Sequence, residues 1–74
     1  MSHKTFRFFL NIPYQQFLSV YQGIHSSVRT RATNGQIIEF PARKLQPFLS
    51  KQGIQGYFEL TVTGQNKFVA IRKL

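Results

Sequence analysis

Cysteine is absent from this chain, and of its 74 residues only Glu39 and Glu59 are acidic. The first absence removes disulfides, thiolate nucleophiles and cysteine metal sites together. A short secreted domain would ordinarily need such staples, so a reducing cytoplasm is the expected compartment. Long apolar runs are missing as well. The longest near the N-terminus, Phe8-Phe9-Leu10, is too short for a signal peptide or a membrane span, and no membrane partner is expected. Glycine-rich phosphate loops are lacking too. Gly53-Ile54-Gln55-Gly56 has no lysine after it and no strand-to-helix setting, so it reads as an ordinary turn. No repeat, linker or low-complexity segment divides the chain, and residues 1–74 read as one domain.

The same scarcity bears on chemistry. Acid/base catalysis needs titratable groups gathered in a pocket. Glu39 and Glu59 instead fall on the outward faces of expected strands, as counter-charges to nearby arginines. His25 adjoins Ser26 and Ser27, but adjacency in sequence does not aim a base at a nucleophile, and no third group is in view. His3 and His25 are the sole imidazoles, without H-x-E or D-x-D spacing, and His3 sits in a segment expected to be a mobile tail. The chain therefore reads as non-enzymatic, with no cofactor, no metal and no small-molecule substrate.

What is present is apolar bulk and positive charge. Hydrophobic residues make up 42% of the chain and aromatics 15%, with eight phenylalanines. That content argues against disorder. A chain of this length buries only about 60% of its unfolded surface, so the large rings matter to a thin core. Ten lysines and arginines against two acids give a net charge of +8. Such an excess favours polyanionic partners: nucleic acid first, an acidic protein second.

Periodicity places the elements. Thr5 to Leu10 alternate, with Phe6, Phe8 and Leu10 on one face and Thr5, Arg7 and Phe9 on the other, which predicts a strand. Asn11 offers a helix cap and Pro13 suits a first turn. Tyr14, Phe17, Leu18 and Tyr21 form the apolar stripe of an amphipathic helix that Gly23 ends. Val28 to Phe40 reads as a hairpin. A two-residue turn at Asn34-Gly35 would mix arginines with large apolar groups on one face. A three-residue loop, Thr33-Asn34-Gly35 with a bulge at the glycine, instead puts Val28, Thr30, Ala32, Ile38 and Phe40 together and sets Arg29 across from Glu39. Pro41 to Leu49 contains Pro47, which blocks a regular helix interior, so a short helix or 3₁₀ turn is expected there. Tyr57 to Thr63 and Lys67 to Lys73 read as the last strands. In the final strand Val69 and Ile71 look buried while Phe68 falls on the opposite side, a conflict the pattern leaves open. The class is α+β: about five short antiparallel strands in a curled sheet or small open barrel, one helix after the first strand and a short helix or 3₁₀ turn before the fourth. The expected core is Phe6, Phe8, Phe17, Leu18, Tyr21, Val28, Ile38, Phe40, Leu45, Phe58, Leu60 and Ile71.

Tyr21-Gln22-Gly23, Phe40-Pro41-Ala42, Leu45-Gln46-Pro47-Phe48, Gly53-Ile54-Gln55-Gly56 and Asn66-Lys67-Phe68 with Leu74 resemble a family of short bacterial proteins defined only as a domain of unknown function, DUF2835. The resemblance spans nearly the whole chain and implies a single-domain unit; it assigns no activity. Pro13 departs from the pattern, which favours a serine-like helix cap at that point.

Candidate binding residues emerge from charge and face. Arg7, Arg29, Arg31 and Arg72 lie on strands and are expected to point outward, with Phe9 and Tyr57 on the same outer faces. Cations would neutralise phosphates while flat rings stack on bases, the scheme of single-strand binders. Arg43 and Lys44, with Lys51, form a second basic cluster. Solvated faces with rings covered by other parts of the chain are the plainer reading of these residues, and an acidic protein is the alternative partner.

Overall fold

The computed structural model of the chain describes residues 2–21 and 26–74, with the backbone alone at positions 20 and 21. The expected helix end at Gly23, His25 and the side chain of Tyr21 therefore lie outside the described residues. The elements run β1 (His3–Ile12), α1 (Tyr14–Tyr21), β2 (Ser27–Arg31), β3 (Ile37–Pro41), a 3₁₀ helix (Ala42–Phe48), β4 (Ile54–Thr63) and β5 (Phe68–Lys73). Their order and types agree with the sequence reading. The strands form two antiparallel sheets, β1-β4-β5 and β2-β3. Among the described residues no ladder joins the two sheets into a closed barrel. No described helix is long and apolar enough to cross a membrane.

The hairpin has the bulged register. Arg29 lies opposite Glu39 and Thr30 opposite Ile38. The Gly35 N–H donates to the Ala32 carbonyl at 2.9 Å, the Ala32 N–H donates to the Gln36 carbonyl at 2.8 Å, and Gly35 has φ +91°. A glycine serves here because a side chain disfavours that φ.

Two strands reach further than the alternation suggests. β1 begins at His3, opposite Thr63, so His3 belongs to the sheet rather than to a tail. It ends at Ile12, opposite Ile54, so Asn11 is a strand residue and not a helix cap. The first helical hydrogen bond is accepted by the Pro13 carbonyl, from Phe17 N–H at 2.9 Å. That places Pro13 at the cap position, where it has no side-chain oxygen to offer. β4 begins at Ile54, so Gln55 and Gly56 are ladder residues opposite Asn11 and Leu10 rather than parts of a turn. The tight turn lies one step earlier, between Ser50 and Gly53.

The conflict in β5 resolves through an irregularity in the ladder. Thr61 pairs with Ala70, yet Val62 pairs with Phe68, so one extra residue is inserted on the β5 side. An inserted residue reverses the facing of the strand on its far side. Phe68 and Ile71 consequently both pack against the core, while Val69, expected to be buried, is exposed.

Both sheets turn their apolar faces to one core. Phe8, Leu10, Phe58, Leu60 and Val62 come from the first sheet, Val28, Ile38 and Phe40 from the second. Phe17 of α1, Ala32 just after β2, and Ala42 and Leu45 of the 3₁₀ helix complete it, with Ile54. The Phe8 and Phe40 rings meet across the sheets at 5.6 Å. Phe6 and Ile71 sit at the margin, and Leu18 is half-buried. Because the inner faces converge, the outer faces diverge, and this separates the surface arginines into groups.

Candidate functional site

Every second residue of β1 and β4 points away from the core, so the outer face of the first sheet is built in rows. Strand geometry spaces successive rows about 7 Å apart. Asn11 and Gln55 form one row, bonded to each other through Gln55 Nε2 donating to Asn11 Oδ1 at 3.3 Å. Phe9 and Tyr57 form the next, with ring centroids 5.2 Å apart and planes inclined by 59°. Leu74 continues this row, since its N–H donates to the Tyr57 carbonyl at 2.9 Å. Arg7, Glu59 and Arg72 make the third row across β1, β4 and β5. Thr5, Thr61 and Ala70 make the fourth.

The aromatic row is open to solvent. Phe9 is 51% exposed and Tyr57 55%. The reading in which another segment covers Phe9 does not hold, and Tyr57 packs on Phe9. Phe9–Tyr57 is a cross-strand ring pair, an arrangement that stabilises an antiparallel ladder by roughly 0.2–1 kcal/mol. That gain does not require two large rings to face water.

The ionic row is organised by its carboxylate. Arg7 Nε donates to Glu59 Oε2 at 3.2 Å and Arg72 Nε donates to Glu59 Oε1 at 3.0 Å. Glu59 is largely enclosed between them, at 14% side-chain exposure, whereas Arg7 and Arg72 remain 61% and 68% exposed. Each guanidinium has five N–H donors in a planar fork. One Nε–H from each is spent on Glu59, which leaves the terminal amino groups of two mostly exposed side chains. The row has two cations to one anion, with the cations outermost.

Hydrogen bonds from Arg72 first, and from Arg7 second, hold the Glu59 carboxyl below its ordinary value of 4.5. A depressed acid pKa contributes stability that is present above the ordinary value and is lost as pH falls through the lowered one. Carbon-13 titration of the Glu59 carboxyl should therefore give a midpoint below 4.5. Arg72→Gln should raise that midpoint more than Arg7→Gln. A midpoint at or above 4.5 in the unmodified protein would contradict this geometry.

The other expected binding residues lie elsewhere. Arg29 and Arg31 are on the outer face of the hairpin, which diverges from the first sheet's. Arg31 Nη1 donates to the Gly35 carbonyl at 3.2 Å, clasping the turn, and the Glu39 carboxylate accepts from Ser27 Oγ at 2.7 Å. Among the described residues the ion pairs are the two made by Glu59. Lys44 of the 3₁₀ helix places its ammonium 4.7 Å from the centre of the Phe68 ring, while Arg43 beside it is exposed. Of the residues that the sequence singles out, the structure thus brings Arg7, Tyr57 and Arg72 together. Arg29, Arg31, Arg43 and Lys44 contribute to the field of the whole molecule.

Charge and face alone do not single out Asn11, Gln55 and Leu74 as site residues. A signal for Asn11 is nonetheless present in the sequence: Phe8, Leu10 and Ile12 continue the inward alternation to the proline, which leaves Asn11 outward. A cleft of about 480 Å³ also opens between β3 and the far ends of β1 and β4, lined by Phe6, Ile38, Leu60 and Val62. Its rim groups are already engaged, Lys4 donating to Asn66 Oδ1 at 3.0 Å and Glu39 accepting from Ser27. No described buried side-chain polar atom lacks a partner. The sheet face is the stronger candidate.

A family model described as a protein of unknown function, DUF2835, matches residues 4–74. No curated protein and no solved structure matches the chain.

Proposed function

The chain belongs to the DUF2835 family of proteins of unknown function, a membership that carries no activity, and we propose from its surface that it is a non-enzymatic nucleic-acid-binding domain of the bacterial cytoplasm. It takes single-stranded RNA or DNA on the outer face of the β1-β4-β5 sheet. One observation carries this reading: two exposed rings, Phe9 and Tyr57, lie paired in the row next to two exposed arginines held in place by Glu59. Stacking on flat rings favours an unpaired strand, because bases in a duplex are already stacked. The arginines supply phosphate contacts in the adjacent row. The net charge of +8 raises the local concentration of any polyanion.

The test is a titration of labelled, mixed-sequence single strands and duplexes at several salt concentrations. Neutralising roughly three to five phosphates gives a log–log salt slope of about −2 to −3.5 for single strands. Arg7→Gln with Arg72→Gln should flatten that slope. Tyr57→Ala should weaken single strands by about 5- to 100-fold, the worth of one stacked base, and duplex far less. Arg29→Gln with Arg31→Gln should weaken binding of every sequence alike. Absence of binding at low salt, or full competition by heparin, would overturn the reading in favour of an acidic protein partner.

A further inference from the structure

The row beyond the aromatic pair is made of two carboxamides. Asn11 lies two residues past Phe9 on β1, and Gln55 two residues before Tyr57 on β4, so both point out of the same face. Both are exposed, and their mutual bond, Gln55 Nε2 to Asn11 Oδ1 at 3.3 Å, uses one donor hydrogen and one acceptor lone pair. A carboxamide has two donor hydrogens and an acceptor oxygen. The bonded pair therefore still presents Gln55 Oε1, the second Gln55 hydrogen and the Asn11 amino group.

The order of the rows matters. Guanidinium groups come first, then rings, then carboxamides, each about 7 Å from the next. A nucleotide has the same order from phosphate through base face to base edge. A strand whose backbone tracks Arg7 and Arg72 would lay a base on Phe9 and Tyr57 and turn its edge toward Asn11 and Gln55.

We propose that Asn11 and Gln55 are a base-reading subsite that favours adenine in single-stranded RNA or DNA. This rests on the nucleic-acid reading of the same face. Asparagine and glutamine pair in bidentate fashion with the adjacent donor and acceptor of adenine, N6–H and N7. Adenine offers that donor–acceptor arrangement on its Hoogsteen edge as well as on its Watson–Crick edge. Guanine presents two acceptors on the Hoogsteen edge and pyrimidines have no N7; on the Watson–Crick edge cytosine, guanine and uracil each offer an adjacent donor and acceptor too, so the preference for adenine comes from the Hoogsteen edge. In single strands both edges are open to a protein.

The experiment measures affinity for oligo-adenylate, oligo-uridylate and oligo-cytidylate of equal length at one salt concentration. The unmodified protein should prefer adenylate by about 5- to 100-fold, the discrimination of one bidentate pair. Asn11→Ala with Gln55→Ala should bring that ratio to near unity while binding persists and the melting curve is little changed. Gln55→Glu keeps the shape and removes the donors. The carboxylate still accepts from the amino groups of adenine and cytosine, so the adenylate-to-cytidylate ratio is the one to read, and it should fall. Tyr57→Ala should lower every affinity and leave the ratio in place. Binding without base preference, or a preference that survives both carboxamide changes, overturns this subsite and leaves the nucleic-acid reading standing. No binding to any oligonucleotide overturns both.

Discussion

Replacing Gly53 with alanine is expected to unfold the domain or to leave it at the edge of stability. Gly53 has φ +100°, and a Cβ placed on it would overlap the carbonyl oxygen of Ile12. The same atom would lie 2.7 Å from the Tyr14 nitrogen and 2.8 Å from the Pro13 carbonyl carbon. All three neighbours are backbone at the joint between β1 and α1, so no side chain can swing away. The turn that carries Gly53 is itself closed by paired bonds between Ser50 and Gly53, each 3.0 Å. Either the turn opens or the joint moves, and both lie against buried Ile54 and Phe17. Left-handed φ alone costs a non-glycine residue roughly 1–2 kcal/mol. The steric displacement comes on top of that. A domain of this length is stable by about 4–11 kcal/mol. Gly35→Ala is the internal control. Gly35 also has positive φ, at +91°, but a Cβ there meets nothing within 4 Å. It should cost about 1–2 kcal/mol and leave the domain folded. Urea denaturation of the two variants separates the effects. Equal midpoints would show that the close packing at Gly53 is not what holds the joint.

The contrast between these glycines shows where sequence reading succeeds. Gly35 is legible because its neighbours argue. Only the bulged loop keeps Val28, Thr30 and Ala32 away from the arginines, and the register comes from that separation. Gly53 and Gly56 read together as a loop, because glycines three apart look like punctuation. Nothing local distinguishes a glycine that turns the chain from one that admits another segment's backbone. The contact at Gly53 is made by Ile12, Pro13 and Tyr14, which are remote from it in sequence. The same blindness to distant partners hides the bulge opposite Thr61 and Val62, without which Phe68 and Ile71 cannot share a face.

The site is legible in its ingredients and not in its grouping. Outward arginines and the outward rings Phe9 and Tyr57 come from alternation within a strand. Which strands lie side by side does not. β1 pairs with β4, and that pairing puts Phe9 on Tyr57 and Arg7 on Glu59. Arg29 and Arg31 have the same local pattern as Arg7, yet the hairpin carries them to a different face. Asn11 is masked by its own versatility, since asparagine before a proline-led helix reads as readily as a helix cap as it does as a strand end.

Phe58→Ala should remove a large part of the domain's stability while leaving its outer face chemically intact. Phe58 is fully buried on the central strand of the first sheet. Its ring lies 6.0 Å from that of Phe8 at an interplanar angle of 20°, and 5.4 Å from that of Phe48 at 70°. It thus joins β1, β4 and the 3₁₀ helix at one point. Truncating such a ring costs about 3–5 kcal/mol through lost transfer and the cavity left behind. Ring pairs add about 0.5–1.5 kcal/mol beyond area. Set against a total near 4–11 kcal/mol, the variant should melt far below the unmodified protein or be unfolded at room temperature. Phe9→Ala, on the opposite side of the same sheet, is the matched comparison. It removes the same group from a half-exposed position, so its cost should stay within about 1 kcal/mol. The pair of variants should divide the phenylalanines by role: loss of Phe58 should remove the fold, and on the proposed nucleic-acid reading loss of Phe9 should weaken single-strand binding in a protein that still melts cooperatively. Similar melting curves for the two would place Phe9 among the residues that hold the domain together, and would withdraw the reason for reading its exposure as a binding surface.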